Sequence, residues 1–171
     1  MKQSLIYVFC VCILFSCTND NSSNGGDEFG RVHSVNIATF KEQQDFINQL
    51  SVAIVAVKDN KAYNVNTKEL LQLLDSAKVT NDSRINLLNN IKQVDNDIKF
   101  KDKSLYYAML FDTAFNKEFK TAINILASNK ENKFELIKQQ VYPTILKIKE
   151  AEEAFKKADN DMQLKYNIKV E

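Results

Sequence analysis

The side chains best suited to chemistry in this chain are few and scattered. Three cysteines stand near its start, Cys10, Cys12 and Cys17, followed by a single histidine, His33. Disulfides and zinc sites need thiols and imidazoles at set spacings, and no such set occurs after Cys17. Asp95-Asn96-Asp97 and Asp159-Asn160-Asp161 open like calcium loops. Both lack the turn glycine and a bidentate glutamate at the right distance, so they read as helix surface or helix ends. Glu152-Glu153 beside Lys149, Lys156 and Lys157 has the i,i+4 spacing of ion pairs on a solvated face, with nothing to mark a pocket around it. Phosphate loops and dinucleotide fingerprints need glycines, and all three (Gly25, Gly26, Gly30) lie before the periodic part of the chain. The expectation is a protein that is not an enzyme, with no cofactor and no metal.

One basic cluster remains. Lys99, Lys101 and Lys103 surround Phe100, close to Tyr106 and Tyr107, where a polyanion such as a glycosaminoglycan could be held by charge and aromatic contact. Asp97 and Asp102 dilute it, and lysines near helix ends also serve the helix dipole. Tyr106 and Tyr107 are adjacent, so both cannot face the centre of one core, and one of them is expected outside.

The start of the chain has a clearer organisation. Lys2 precedes an unbroken apolar run from Leu5 to Phe15, 11 residues long. That length suits the apolar region of a signal peptide and falls well short of the ~20 residues that cross a bilayer. Leu14-Phe15-Ser16-Cys17 ends the run, with small Ser16 just before the cysteine. This stretch resembles the lipobox of bacterial lipoproteins, with Leu14 three positions before Cys17, although Phe15 stands where most lipoboxes carry a small residue. The resemblance implies cleavage before Cys17 and a lipid on its sulfur, of the palmitate type. The competing reading is an ordinary secretory signal whose cleavage site abuts a cysteine. Cys10 and Cys12 would leave with residues 1–16, and two or three acyl chains on Cys17 would make membrane attachment effectively permanent.

Removing residues 1–16 takes away one basic residue and leaves 22 basic against 22 acidic. Such a neutral balance argues against nucleic acid, whose binding rests on a surplus of Lys and Arg. Residues 17–34 contain all three glycines among Asn and Ser, too little apolar surface to offset the entropy of ordering, and read as a flexible tether. Fully extended at roughly 3.3–3.6 Å per residue, this tether would hold a domain several nanometres from the lipid.

Residues 35–171 read as a folded domain with one proline, Pro143, and no glycine. An all-β domain of this length would need turn residues at many corners, so the expectation is all-α: an elongated antiparallel bundle of about five helices. Thr39 with Glu42 has capping-box spacing and starts a first helix to about Lys58, with Phe46, Leu50, Ala53 and Val57 on one face. Its stretch Val52–Val57 is apolar all round, which predicts a helix surrounded by neighbours, a buried strand being the alternative. Asn66 with Glu69 caps a short second helix, and Asn81-Asp82-Ser83 starts a third to about Phe100. A fourth runs from about Lys103 to Ser128, with Met109 among its inward residues. A fifth segment spans about Glu131–Tyr166, its inward stripe including Ile145, with a kink or break expected near Tyr142 because Pro143 lacks an N–H and clashes with the turn before it.

Taken together, the lipobox, the Asn/Ser/Gly tether and the Lys- and Asn-rich domain are similar to spirochaetal helical lipoproteins. The nearer likeness is to the Borrelia-type outer-surface and decorin-binding groups. The fragment Ala53-Ile54-Val55-Ala56-Val57-Lys58 shares the flavour of an apolar helix in some of them. The resemblance implies outer-membrane attachment with surface exposure, and host proteins or glycans as partners. The rival expectation is a periplasm-facing structural envelope lipoprotein, or one that pairs with itself as a homodimer.

Overall fold

The computed structural model describes residues 23–59 and 65–169. They form five helical pieces: α1 (Ser23–Lys58), α2 (Thr67–Asn89), α3 (Phe100–Asn116), α4 (Glu118–Ala127) and α5 (Lys133–Tyr166). No strand occurs among the described residues, and the helices pack on one another as an all-α bundle. The start of α1 meets the loop after α2, the start of α3 and the end of α5, since Glu28 reaches Val94 and Lys101 while Gly25 lies against Tyr166. At the other end, Lys58 lies over the Phe134 ring at the start of α5. The chain therefore runs antiparallel between α1 and both α2 and α5.

Helix boundaries differ from the sequence expectation in ways that packing explains. α1 begins 16 residues before Thr39, so Thr39 is not a cap: its hydroxyl donates to the Val35 carbonyl at 2.8 Å inside the helix. Asn66 does cap α2, its side chain accepting from the Glu69 N–H at 3.2 Å while its amide donates to the Glu69 carboxylate at 3.1 Å. The expected start of a third helix at Asn81 is instead mid-α2. Asn81 is buried there and donates to the Ala108 carbonyl at 2.9 Å, a partner 27 residues away. Lys99, in left-handed backbone at φ 56°, turns the chain from the 90–99 loop into α3. The expected fourth helix is interrupted at Lys117, where α3 gives way to α4. α5 runs unbroken through Pro143, so the proline does not separate two helices.

Two apolar clusters fill the bundle. The larger contains Phe46, Leu50 and Ala53 of α1, Leu70 and Leu74 of α2, and Phe111, Phe115 and Phe119 of α3 and α4. The smaller, near the start of α1, contains Phe29, Val32, Leu88, Phe100, Ala158 and Met162. Neighbouring rings link them in a column from Phe29 through Phe100, Phe155, Tyr107 and Phe111 to Phe115, at 5.2–6.1 Å between centroids. Ring pairs at such distances contribute about 0.5–1.5 kcal/mol each beyond area burial. Val52 and Val55 are half exposed, so the Val52–Val57 run is a helix with one wet side and not one surrounded by neighbours. Met109 and Ile145, expected inside, are exposed as well, and Phe111 takes the buried place on α3.

The expected tether is corrected over its second half. Residues 23–34 are the first turns of α1, with Glu28, Phe29 and Val32 buried. Phe29 stacks on Phe100 at 5.4 Å, and Val32 joins the same cluster, so this segment does find apolar partners, though none of them is nearby in sequence. The expected signal peptide, residues 1–16, and Cys17 lie outside the described residues.

Candidate functional site

Along α3, Lys103, Tyr106 and Leu110 recur at 3-4 spacing and share one side of the helix, and Lys99, just before its first turn, lines the same groove. α5 packs beside them and contributes Lys147, Glu150, Ala151 and Ala154. The two alanines are too short to fill the space opposite Tyr106 and Leu110, which leaves an open groove of about 550 Å³. Three lysines and two carboxylates, Asp102 and Glu150, line it. Tyr106 is 57% exposed while its neighbour Tyr107 is 4% exposed, the division expected from their adjacency. A second hollow, between Ala53 of α1 and Leu70 and Leu73 of α2, holds only about 30 Å³, room for little more than one water.

The structure thus brings together two of the three expected lysines. Lys101 does not line the groove: its side chain is largely buried, and its ammonium pairs with the Asp102 carboxylate at 3.5 Å. Lys101 is two residues from Lys103, a separation that rotates a helical side chain away from the shared face. Lys147 was missed because nothing in the sequence says that α5 lies beside α3. Leu14, Phe15, Ser16 and Cys17 lie outside the described residues.

The other expected chemical groups are engaged structurally. His33 stacks on Phe29 at 5.1 Å, its Nδ1 3.5 Å from Asp159. Lys156 pairs with Glu152 at 2.5 Å, the i,i+4 pairing read from the sequence. Among the described residues, no group of three His, Cys, Asp or Glu side chains is placed to hold a metal ion. Asp95 is buried and accepts from the Asp97 and Ile98 N–H groups at 3.0 and 2.9 Å, from Lys165 at 2.5 Å and from the Tyr166 hydroxyl at 2.8 Å. Burial pushes its pKa up, but these donors outweigh it and hold the carboxyl well below the usual carboxylate range.

A polar belt with no signature in the residue pattern lies between the two apolar clusters. Asn36 and Gln43 of α1, Asn81 and Arg84 of α2 and Ser104 of α3 are all buried. Ser104 donates to Asn36 at 3.0 Å and Arg84 to Gln43 at 3.3 Å, while the Arg84 guanidinium lies 5.2 Å from the Tyr107 ring centre. Burial pulls Arg84 down to about 10, partly offset by Tyr107. Burial, together with nearby Glu152, pushes Tyr107 up to about 12 against the pull of Arg84. Arg84 stays charged at neutral pH with no carboxylate at ion-pair distance among the described residues. The belt's hydrogen bonds tie α1 to α2, α1 to α3 and α2 to α3.

No protein-family model matches the chain, and no curated protein or solved structure matches it either.

Proposed function

We propose that this chain is a bacterial lipoprotein, anchored to the outer membrane through a lipid on Cys17 and exposed at the cell surface, whose helical bundle is a non-catalytic binding module. The observation that supports a binding role is the α3–α5 groove, where Lys99, Lys103 and Lys147 surround an exposed tyrosine. Lysines on a half-open face attract an extended polyanion, and Tyr106 offers a flat apolar surface to a sugar ring or a side chain. Asp102 and Glu150 restrict the ligand to one that leaves room for carboxylates, which favours a spaced anionic chain such as a sulfated glycan, or an acidic segment of a host protein.

The test is a binding titration of the mature protein with a heparin-type glycan. Joint Lys103→Ala and Lys147→Ala substitution should weaken binding about tenfold at low salt, the loss shrinking as salt screens the wild type. Equal affinity of variant and wild type would rule out the groove as the binding face. One observation favours the rival, self-associating envelope protein: Tyr142, Ile145 and Leu146 form an exposed apolar strip on α5. Sedimentation that shows a dimer at low micromolar concentration, lost in Leu146→Lys, would move the assignment there.

A further inference from the structure

The position of the first turn of α1 decides how an anchor on Cys17 would hold the bundle. Cys17 stands six residues before Ser23, and six residues reach no further than about 20 Å even when fully extended. α1 itself, at 36 residues and 1.5 Å per residue, is about 54 Å long. The leash is thus less than half the length of the body it holds. Its inner end is fixed, because Glu28 accepts from the N–H groups of Val94, Asp95 and Lys101 at 2.7, 2.9 and 3.3 Å. A methyl group on Gly25 would lie 2.1 Å from the Tyr166 ring, so the α1 backbone lies directly against the end of α5.

We infer that the end of the bundle formed by the first turns of α1, the 90–99 loop and the last turns of α5 is an interaction surface for the phospholipid headgroup layer. The groove then opens sideways from it, and the α4–α5 turn points away. This inference rests on the lipid-anchor reading of Cys17. The near end carries what an interfacial surface requires. Leu164 is 74% exposed and Val94 is also exposed, and the exposed Lys92 and Lys169 belong to the same end. Aliphatic side chains flanked by lysines partition into the headgroup region, where the apolar part enters and the ammonium groups stay with phosphates. Asp97 and Asp161 share this end, so attachment geometry and apolar exposure carry the inference, and net charge does not.

The experiment uses the mature lipidated protein purified from cells. Its single native cysteine would be consumed by the lipid, so one introduced cysteine takes a fluorescent label selectively. Labels are placed at Leu164→Cys or Lys169→Cys at the near end and at Glu131→Cys in the α4–α5 turn. Each protein is inserted into phosphatidylcholine–phosphatidylglycerol vesicles containing a lipid with a nitroxide on its headgroup. Quenching should be several-fold stronger for both near-end labels than for the Glu131→Cys label. Equal quenching, or stronger quenching at Glu131→Cys, overturns the inference. Intact mass separates this from failure of the anchor: acylated Cys17 with equal quenching overturns the orientation alone, whereas a chain without acyl mass overturns both.

Discussion

The two parts of α1 are joined in one helix but held to the bundle by different means. From Thr39 to Lys58 the helix turns Phe46, Leu50 and Ala53 into the larger apolar cluster, where Phe46 meets Phe115 and Phe119 at 5.7 and 5.5 Å. From Ser23 to Asn36 it contains three glycines, each costing about 1 kcal/mol against alanine in a helix interior. That first part is helical because its surroundings make it so. Phe29 and Val32 enter the smaller cluster, and the Glu28 carboxylate holds three backbone N–H groups of the 90–99 loop and α3. A segment whose order depends on distant partners should open before one whose own pattern specifies it.

The largest expected effect comes from the second part. Phe46→Ala removes a fully buried ring from contact with two others, and a substitution of that kind costs about 3–5 kcal/mol. Urea denaturation followed by circular dichroism should show the whole bundle weakened. An unchanged midpoint would contradict this division of α1.

Glu28→Ala should act at the other end and more locally. It strips the acceptor from three N–H groups, and each such loss costs about 1–3 kcal/mol when the donor stays buried. Peptide-level hydrogen exchange should quicken in residues 23–34 and 92–101, with the Phe46 region protected as before. Uniform quickening would mean that the two parts of α1 form one cooperative unit.

Acidity should separate the same two regions. Asp95 has a pKa depressed in the fold, so the unfolded chain takes up the proton more readily. Its contribution is fully present above the unfolded value of about 4 and is lost as pH falls through the depressed folded value. On the alkaline side, Lys165 is raised chiefly by its hydrogen bond to Asp95, and Tyr166 by burial and then by Asp95. Raised values mean stability present below the unfolded pKa of each group, about 10, and lost above it. Exchange at the near end should thus accelerate below about pH 4, after correction for the intrinsic rate, and Asp95→Asn should remove that acid limb. An unchanged acid limb in the variant would show that other carboxylates carry it.

This contrast also accounts for what could be read in advance. The all-α class was legible because Phe46, Leu50 and Ala53, or Ile137, Val141 and Ile148, recur at helical spacing and each reports on its own helix. The start of α1 was not, because glycine and serine dominate locally while Glu28 finds its donors 66 to 73 residues away. Asn81-Asp82-Ser83 misled for a related reason: a side chain suited to capping is also suited to a buried bond, and Ala108 supplied one. The groove was half legible. Lys103 shares a helical face with Tyr106 and Lys99 lines the same groove, but grouping lysines by closeness in sequence added Lys101 and left out Lys147.

The smallest expected effect is a gain. A methyl group added at Gly30 would meet nothing within 4 Å, so Gly30→Ala should stabilise the first part of α1 by about 0.5–1 kcal/mol through helix propensity alone. Gly25→Ala has the same propensity gain but drives the new methyl into the Tyr166 ring. To make room the ring must swing away, giving up the 2.8 Å bond from its hydroxyl to Asp95. The two substitutions should therefore have opposite signs in exchange of residues 23–34, slower for Gly30→Ala and faster for Gly25→Ala. Equal slowing in both would mean that propensity limits this segment. Opposite signs would mean that its docking against α5 does, and the segment between the anchor and the bundle would then be rigid only as long as Tyr166 stays in place.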